Sequence, residues 1–224
     1  MKVILTGATG MIGKGVLYEC LDSDVVEHVL VVGRNSVEMN HPKLKELVIK
    51  DMYDLTEISA QLKGYDACFF CLGISAFRMS EADYTRITYD LTLNFAQMVL
   101  AQSPQATFIY VSGEGTDSTE KSLSMWARVK GKTENDLLKL GFGQAYMFRP
   151  GAIYPERGIR SRTPIYNTFL PVLKMLYPAL KTFFPNKITT TSNIGKAMIR
   201  LAQQQYKKQH IISEDINRLA VLAD

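Results

Sequence analysis

Apolar and polar positions along this chain fall into two kinds of segment, short β-branched runs and longer stripes of helical period. Val3 to Leu5 reads as a buried strand, and a helix is predicted over roughly Met11 to Leu21. Further strands are predicted at Val29 to Val32, Leu47 to Lys50, Ala67 to Leu72, Thr107 to Val111 and Gln144 to Phe148. Between them come a short helix capped by Asp54 and reaching about Leu62, and a long one from Ser80 or Glu81 to about Ala101. A third runs from about Ser124 to Leu140. Strands alternating with helices at this pitch predict an α/β fold with a doubly wound parallel sheet and right-handed crossovers. The pattern is less regular over 150–224. Asn167 to Tyr177 is apolar but interrupted by Pro171, Asn193 to Gln205 reads as an amphipathic helix, and a last helix is predicted from Ser213 to Leu222. No repeat, low-complexity tract or linker divides the chain. One domain over 1–224 is expected, with residues 150–224 forming a small substrate-side lobe over the strand ends.

Composition narrows the class. The chain has 224 residues and is 46% hydrophobic, enough for a full core. No uninterrupted apolar run is long enough to span a membrane. The N-terminus enters a strand at once, so no signal peptide and a cytoplasmic location are expected. Cys20, Cys68 and Cys71 are few and odd in number, which argues against disulfides. Cys68 and Cys71 lie three apart on a strand and so point to opposite faces. With no second Cys/His pair nearby, they read as packing residues, and no metal site is expected. The formal net charge of +4 is modest. The densest basic segment, Arg157-Gly-Ile-Arg160-Ser-Arg162, lacks interleaved aromatics, which disfavours nucleic acid and suits an anionic small molecule.

The candidate chemistry starts where the first strand breaks. Gly7, Gly10 and Gly13 form a G-x-x-G-x-x-G run between that strand and its helix. The first glycine permits a tight turn, the second a close approach of backbone to pyrophosphate, and the third close helix–sheet packing. The helix then offers free N–H groups and its positive end to phosphates. A dinucleotide site follows from this placement. In such a site an acidic residue at the end of the second strand normally takes the ribose hydroxyls. Here Arg34 stands there, 21 residues after Gly13, followed by Asn35 and Ser36. A guanidinium pairs with a 2′-phosphate where a carboxylate would repel it, so NADP(H) is expected over NAD(H). Asp51 and Met52, just past the third strand, are placed to border the adenine.

Together with Phe70-Cys71-Leu72-Gly73, Val129-Lys130-Gly131-Lys132-Thr133-Glu134 and Phe148-Arg149-Pro150-Gly151, these features make residues 1–165 resemble the short-chain dehydrogenase/reductase superfamily. The likeness is greatest to its atypical, Tat-interacting-protein-like branch, with an NAD(P)-binding Rossmann fold. The resemblance implies that Thr9, Gly10, Met11 and Ile12 hold the pyrophosphate and Arg34 the 2′-phosphate. It also implies that Leu72 and Gly73 border the ribose, and that the segment from Arg149 onward borders nicotinamide and substrate. The superfamily reduces carbonyls with a serine, a tyrosine and a lysine, the last two spaced Y-x-x-x-K. Ser112 and Lys130 occupy the serine and lysine positions, and Lys130 would also touch the cofactor. At the tyrosine position stands Trp126, and where an assisting asparagine is common the register places Thr88. An indole N–H only donates a hydrogen bond and relays no proton near neutral pH. Loss of the phenol removes general acid catalysis of roughly 10²- to 10⁴-fold unless another group serves. Tyr84, Tyr89, Tyr154 and Ser112 itself are the open alternatives.

The expected function is therefore an NADPH-dependent oxidoreductase with a nonstandard acid, acting on a small carbonyl compound. The alternative is a catalytically degenerate NADP(H)-binding regulator that works through a protein partner or a homodimer. A nucleotide-sugar epimerase or dehydratase is disfavoured, since those enzymes need both a larger substrate lobe and the tyrosine. Substrate, proton donor and oligomeric state stay open at this point.

Overall fold

The computed structural model describes residues 1–160 and 186–221. The apolar stretch Asn167 to Tyr177, Arg162 and Leu222 lie outside the described residues. A seven-stranded sheet runs through the molecule in the order β3-β2-β1-β4-β5-β6-β9, with every neighbouring pair parallel. Its strands are β1 (Lys2–Thr6), β2 (His28–Gly33), β3 (Leu44–Val48), β4 (Ala67–Phe70), β5 (Thr107–Val111), β6 (Gln144–Arg149) and β9 (His210–Ile212). A separate parallel pair joins β7 (Ala152–Tyr154) to β8 (Ile188–Thr190). The helices are α1 (Met11–Asp22), α2 (Glu81–Thr85), α3 (Leu91–Gln102), α4 (Met125–Lys139), α5 (Thr191–Gln203) and α6 (Ser213–Val221). The doubly wound parallel architecture matches the expectation.

Alternation along the strands divides the core in two. Val3, Leu5, Val29 and Phe69 face one side, where Leu17 of α1 and Ile194 and Met198 of α5 cover them. Ile4, Leu30, Phe70 and Phe108 face the other, against Phe95 and Val99 of α3. Cys68 packs on the second face and Cys71 against the first, as their spacing requires. The strand order reverses between β1 and β4, so their carboxyl ends open a crevice, the place where such sheets bind ligands.

Four details differ from the sequence reading. The third strand is Leu44–Val48 rather than Leu47 to Lys50. It is half-exposed at the sheet edge, so burial gives weak guidance to its limits. The segment Thr56–Leu62 is a 3₁₀ helix, begun where Asp54 Oδ1 accepts from the Thr56 N–H at 3.0 Å. The long helix after Ser80 is interrupted by a π-helical turn over Arg86–Asp90, between α2 and α3. Finally, the described residues after 185 add to the main sheet and core. β9 extends the sheet beside β6, and α5 and α6 bury Ile194, Ala197, Met198, Ile216 and Leu219 in the main core.

α1 and α5 cross through two glycines. A Cβ on Gly15 would lie 2.5 Å from the Thr191 Cβ, and one on Gly195 would lie 2.8 Å from the Glu19 Cβ. Overpacking of this kind costs about 1–3 kcal/mol. Gly15→Val is expected to lower unfolding stability in urea by that amount, with an unchanged m-value. A variant as stable as wild type would show that the crossing is loose.

Candidate functional site

The glycine turn is built by contact with β4. Gly7 has φ +71°, and a Cβ there would sit 2.5 Å from the Cys71 carbonyl oxygen and 2.7 Å from the Leu72 nitrogen. A Cβ on Gly13 would overlap the Gly7 carbonyl. Any larger residue at either position would push the first helical turn away from the strand ends. Gly10 is the N-cap of α1, its N–H donates to the Gly7 carbonyl at 2.8 Å, and no side chain caps the helix. The first N–H groups of α1 therefore keep their donor capacity for a ligand. A Cβ on Gly10 would meet only the Gly7 oxygen, at 3.2 Å, within protein.

A cavity of about 590 Å³ opens beside this turn. Of the residues predicted to bind cofactor, Gly7, Thr9, Gly10, Arg34, Asp51, Met52, Leu72 and Gly73 line it. Met11, Ile12 and Gly13 are not among its lining. Ile12 packs its side chain on the core, so only backbone N–H groups are left to serve a phosphate here. The Asp51 carboxylate accepts from the Tyr53 N–H at 2.8 Å, which fixes the turn after β3. Glu46 accepts from Ser36 Oγ at 3.0 Å and from the Val37 N–H at 2.8 Å, pinning the loop after Arg34. Tyr53 and Arg86 also line the cavity, and the sequence reading did not include them.

The predicted reaction residues gather at the ends of β5 and β6, outside the lining of that cavity. The Ser112 hydroxyl donates to the Glu134 carboxylate and lies 3.0 Å from the Phe148 carbonyl oxygen. The Lys130 ammonium donates to the Ser112 carbonyl. Burial lowers the Lys130 pKa to about 8, with the negative charge of Glu134 opposing the shift. Trp126 lies one helical turn before Lys130, its indole edge 3.1 Å from the position of a Cβ on Gly115. Arg149 does not line the cavity. Its Nε donates to Glu134 at 3.0 and 3.1 Å, and its terminal nitrogen also bonds Ser118 and Glu134. His210 Nε2 lies 3.5 Å from Glu134, and burial, then the Arg149 charge, lower the His210 pKa while Glu134 opposes.

Glu134, fully buried, is thus the hub of this end, and the sequence reading gave it no role. The signal was present: with Ala127 and Leu137 it falls on the buried stripe of α4, where a charge must have partners. Thr88 is buried and hydrogen-bonded to Tyr84, away from the cavity. Of the alternative hydroxyls, Tyr84 is in the core and Tyr89 donates to Asp136 at 2.8 Å. Tyr154 borders a different cavity, with Arg157.

Comparison with known proteins gives this geometry its setting. Residues 3–122, more than half of the chain, match the model of the NAD dependent epimerase/dehydratase family. The chain belongs to that family. Protein FMP52-1, mitochondrial, of Scheffersomyces stipitis is 26% identical over 210 residues, which span 93% of this chain and 91% of that protein. Protein HTATIP2 of Rattus norvegicus is 27% identical over 158 residues, 70% of this chain and 64% of that protein. Among solved structures, UDP-N-acetylglucosamine 4-epimerase from Methanobrevibacter ruminantium superposes with a TM-score of 0.70 at 17% identity, covering 94% of this chain and 75% of that one. The Bordetella bronchiseptica enzyme WbmF, in complex with NAD+, superposes at 0.68 and 15%, covering 98% and 76%. These two show the fold alone. Within the family the chain is an atypical short-chain dehydrogenase/reductase of the HTATIP2-like branch, and its cofactor is a nicotinamide dinucleotide. The cavity suits one: an uncapped helix start, a glycine cradle and a volume within the ~300–1,000 Å³ of small-molecule sites. The cytoplasmic expectation is corrected by these relatives, since the FMP52 proteins are named as mitochondrial. No helix among the described residues is long and apolar enough to cross a membrane.

Removing one partner of a buried ion pair leaves the other charge uncompensated, at a cost of about 3–5 kcal/mol. Glu134→Ala is expected to lose stability in that range by urea unfolding. Lys139→Ala, which breaks an exposed pair with Asp136, is expected to lose no more than ~1 kcal/mol. Equal losses would mean that Glu134 is not a hub.

Proposed function

We propose that the chain is an NADP(H)-linked oxidoreductase of a small carbonyl compound, with Lys130 supplying the proton that a tyrosine gives elsewhere in the superfamily. The observation that carries the cofactor choice is Arg34. It lines the cavity where the fold normally has an acid, and its guanidinium has no carboxylate partner among the described residues. In this reading the backbone of Thr9 to Ile12 and the glycine turn hold the pyrophosphate, and Arg34 holds the 2′-phosphate. Asp51 and Met52 border the adenine, and Leu72 and Gly73 border the ribose. A bound nicotinamide supplies the hydride. Lys130 keeps an ammonium whose pKa of about 8 suits proton transfer near neutral pH. Ser112 donates its own proton to Glu134, which leaves Lys130 as the hydrogen-bond donor to the substrate carbonyl oxygen. Trp126 packs against the Gly115 turn, one helical turn before Lys130. Arg149, drawn onto Glu134, acts on the site through that carboxylate. Similarity to the FMP52 proteins supports a mitochondrial location.

A second reading, a dinucleotide-binding regulator that works through a protein partner or a homodimer, is favoured by one observation. Ser112 and Lys130 are each already hydrogen-bonded within the protein.

Two measurements test these readings. Arg34→Ala should weaken NADPH by about 10- to 100-fold in fluorescence titration and NADH hardly at all, since a charge-assisted bond is worth roughly 1.5–3 kcal/mol. An equal loss for both would sink the NADP assignment. The second is NADPH oxidation over an aldehyde and quinone panel with wild type, Trp126→Tyr and Lys130→Met. If Lys130 is the acid, wild-type reduction should fall as pH rises through about 8, where the folded-state ammonium loses its proton well below the ordinary lysine value. Lys130→Met should abolish it. Turnover by Trp126→Tyr alone, one or more orders of magnitude above an inert wild type, would favour the regulator reading.

A further inference from the structure

The cavity carries a second cation that the glycine fingerprint does not explain. Arg86 opens the π-helical turn and lines the same cavity as Arg34. A π-helical turn is a rare interruption, often found at functional sites, and this one rotates the register between α2 and α3. It places both Arg86 and Ile87 in the cavity wall. The Arg86 guanidinium lies over the Tyr53 ring, 5.3 Å from its centroid. The pair is tied together, since the Tyr53 hydroxyl donates to the Arg86 carbonyl at 3.1 Å. Tyr53 is anchored in turn by Asn94, whose Nδ2 donates to the Tyr53 carbonyl at 2.8 Å.

Stacking fixes the plane of a guanidinium without using its N–H groups, which stay directed outward in that plane. Asp83 and Asp51 line the same cavity, yet Arg86 forms no ion pair with either, nor with any other described residue. A preset fork of donors without a carboxylate partner is a receptor for an oxyanion. The glycine turn, where a pyrophosphate would lie, already has its own helix N–H groups. Arg86 stands with Tyr53, next to Asp51 and Met52, and so belongs to the adenosine end. The anion available at that end of a dinucleotide is a phosphate on the ribose.

We infer that Arg86, held flat by Tyr53, is a specificity-determining residue that joins Arg34 on the 2′-phosphate of NADP(H). This rests on the NADP reading above. The test is titration of wild type, Arg86→Gln and Arg86→Lys with NADPH, NADH, adenosine 2′,5′-bisphosphate and adenosine 5′-monophosphate. Arg86 is exposed, so the variants should fold, and thermal unfolding without ligand checks this. Arg86→Gln should weaken NADPH and the bisphosphate by about 10-fold or more, a loss of ~1.4 kcal/mol, and leave NADH and the monophosphate within about twofold. Arg86→Lys should fall between Gln and wild type, because it keeps the charge and loses the stacked fork. An equal loss on all four ligands would overturn the inference in favour of a stack on the base, and no loss on NADPH would overturn it outright. If wild type fails to prefer NADPH over NADH, the NADP reading itself falls. If wild type prefers NADPH through Arg34 and Arg86→Gln changes nothing, only the inference falls.

Discussion

Three pieces of backbone meet at Gly7, and the site depends on that meeting. The carboxyl end of β1, the first turn of α1 and the carboxyl end of β4 come so close that neither Gly7 nor Gly13 has room for a methyl group. The approach closes the crevice at the reversal of strand order. It also brings the helix N–H groups level with Cys71, Leu72 and Gly73. The cavity walls are then placed by the strand ends and the segments that follow them. The end of β2 delivers Arg34, the end of β3 delivers Asp51 and Met52, and the π-helical turn delivers Arg86. The glycines thus matter less for flexibility than for the volume they leave empty.

The opposite end of the site is organised by charge. Glu134 is buried on α4, and its neutralisation by Arg149 draws the end of β6 onto the helix. His210 of β9 places its Nε2 3.5 Å from the same carboxylate without a hydrogen bond to it, so the tie is between α4 and β6. A buried ion pair of this kind adds little net stability over an apolar packing, since desolvation offsets the attraction. It does fix orientation. Ser112 is held with its hydroxyl proton turned inward, and Lys130 with its ammonium on the Ser112 carbonyl.

How far the sequence disclosed this differs from one element to the next, for physical reasons. The inner strands were readable because burial on both faces demands unbroken apolar runs, as in Ala67 to Phe70. The edge strand Leu44–Val48 obeys no such demand, and its predicted limits slipped. β9 has only three residues, too few to carry a pattern, and its place is set by the helices that bury Ile211. Most of the nucleotide cavity was legible, because turn geometry at Gly7, Gly10 and Gly13 is local in sequence. The hold of Glu134 on Arg149 was not legible, since the two are 15 residues apart on different elements. Arg86 had no local sequence signal: its π-helical turn meets α4 and its guanidinium lies over Tyr53, partners far away in the chain.

The two ends of the site also differ in what they leave unsatisfied, and that difference bears on function. In the cavity wall, the guanidiniums of Arg34 and Arg86 stand without carboxylate partners among the described residues, a state that a bound anion relieves. At the reaction end the serine hydroxyl and the lysine ammonium have their partners already. Binding free energy is therefore available from cofactor recognition alone, with no cost in broken internal bonds. In the proposed reaction the Lys130 ammonium spends one N–H on the Ser112 carbonyl and keeps two others, so that bond need not break for a substrate oxygen to be met.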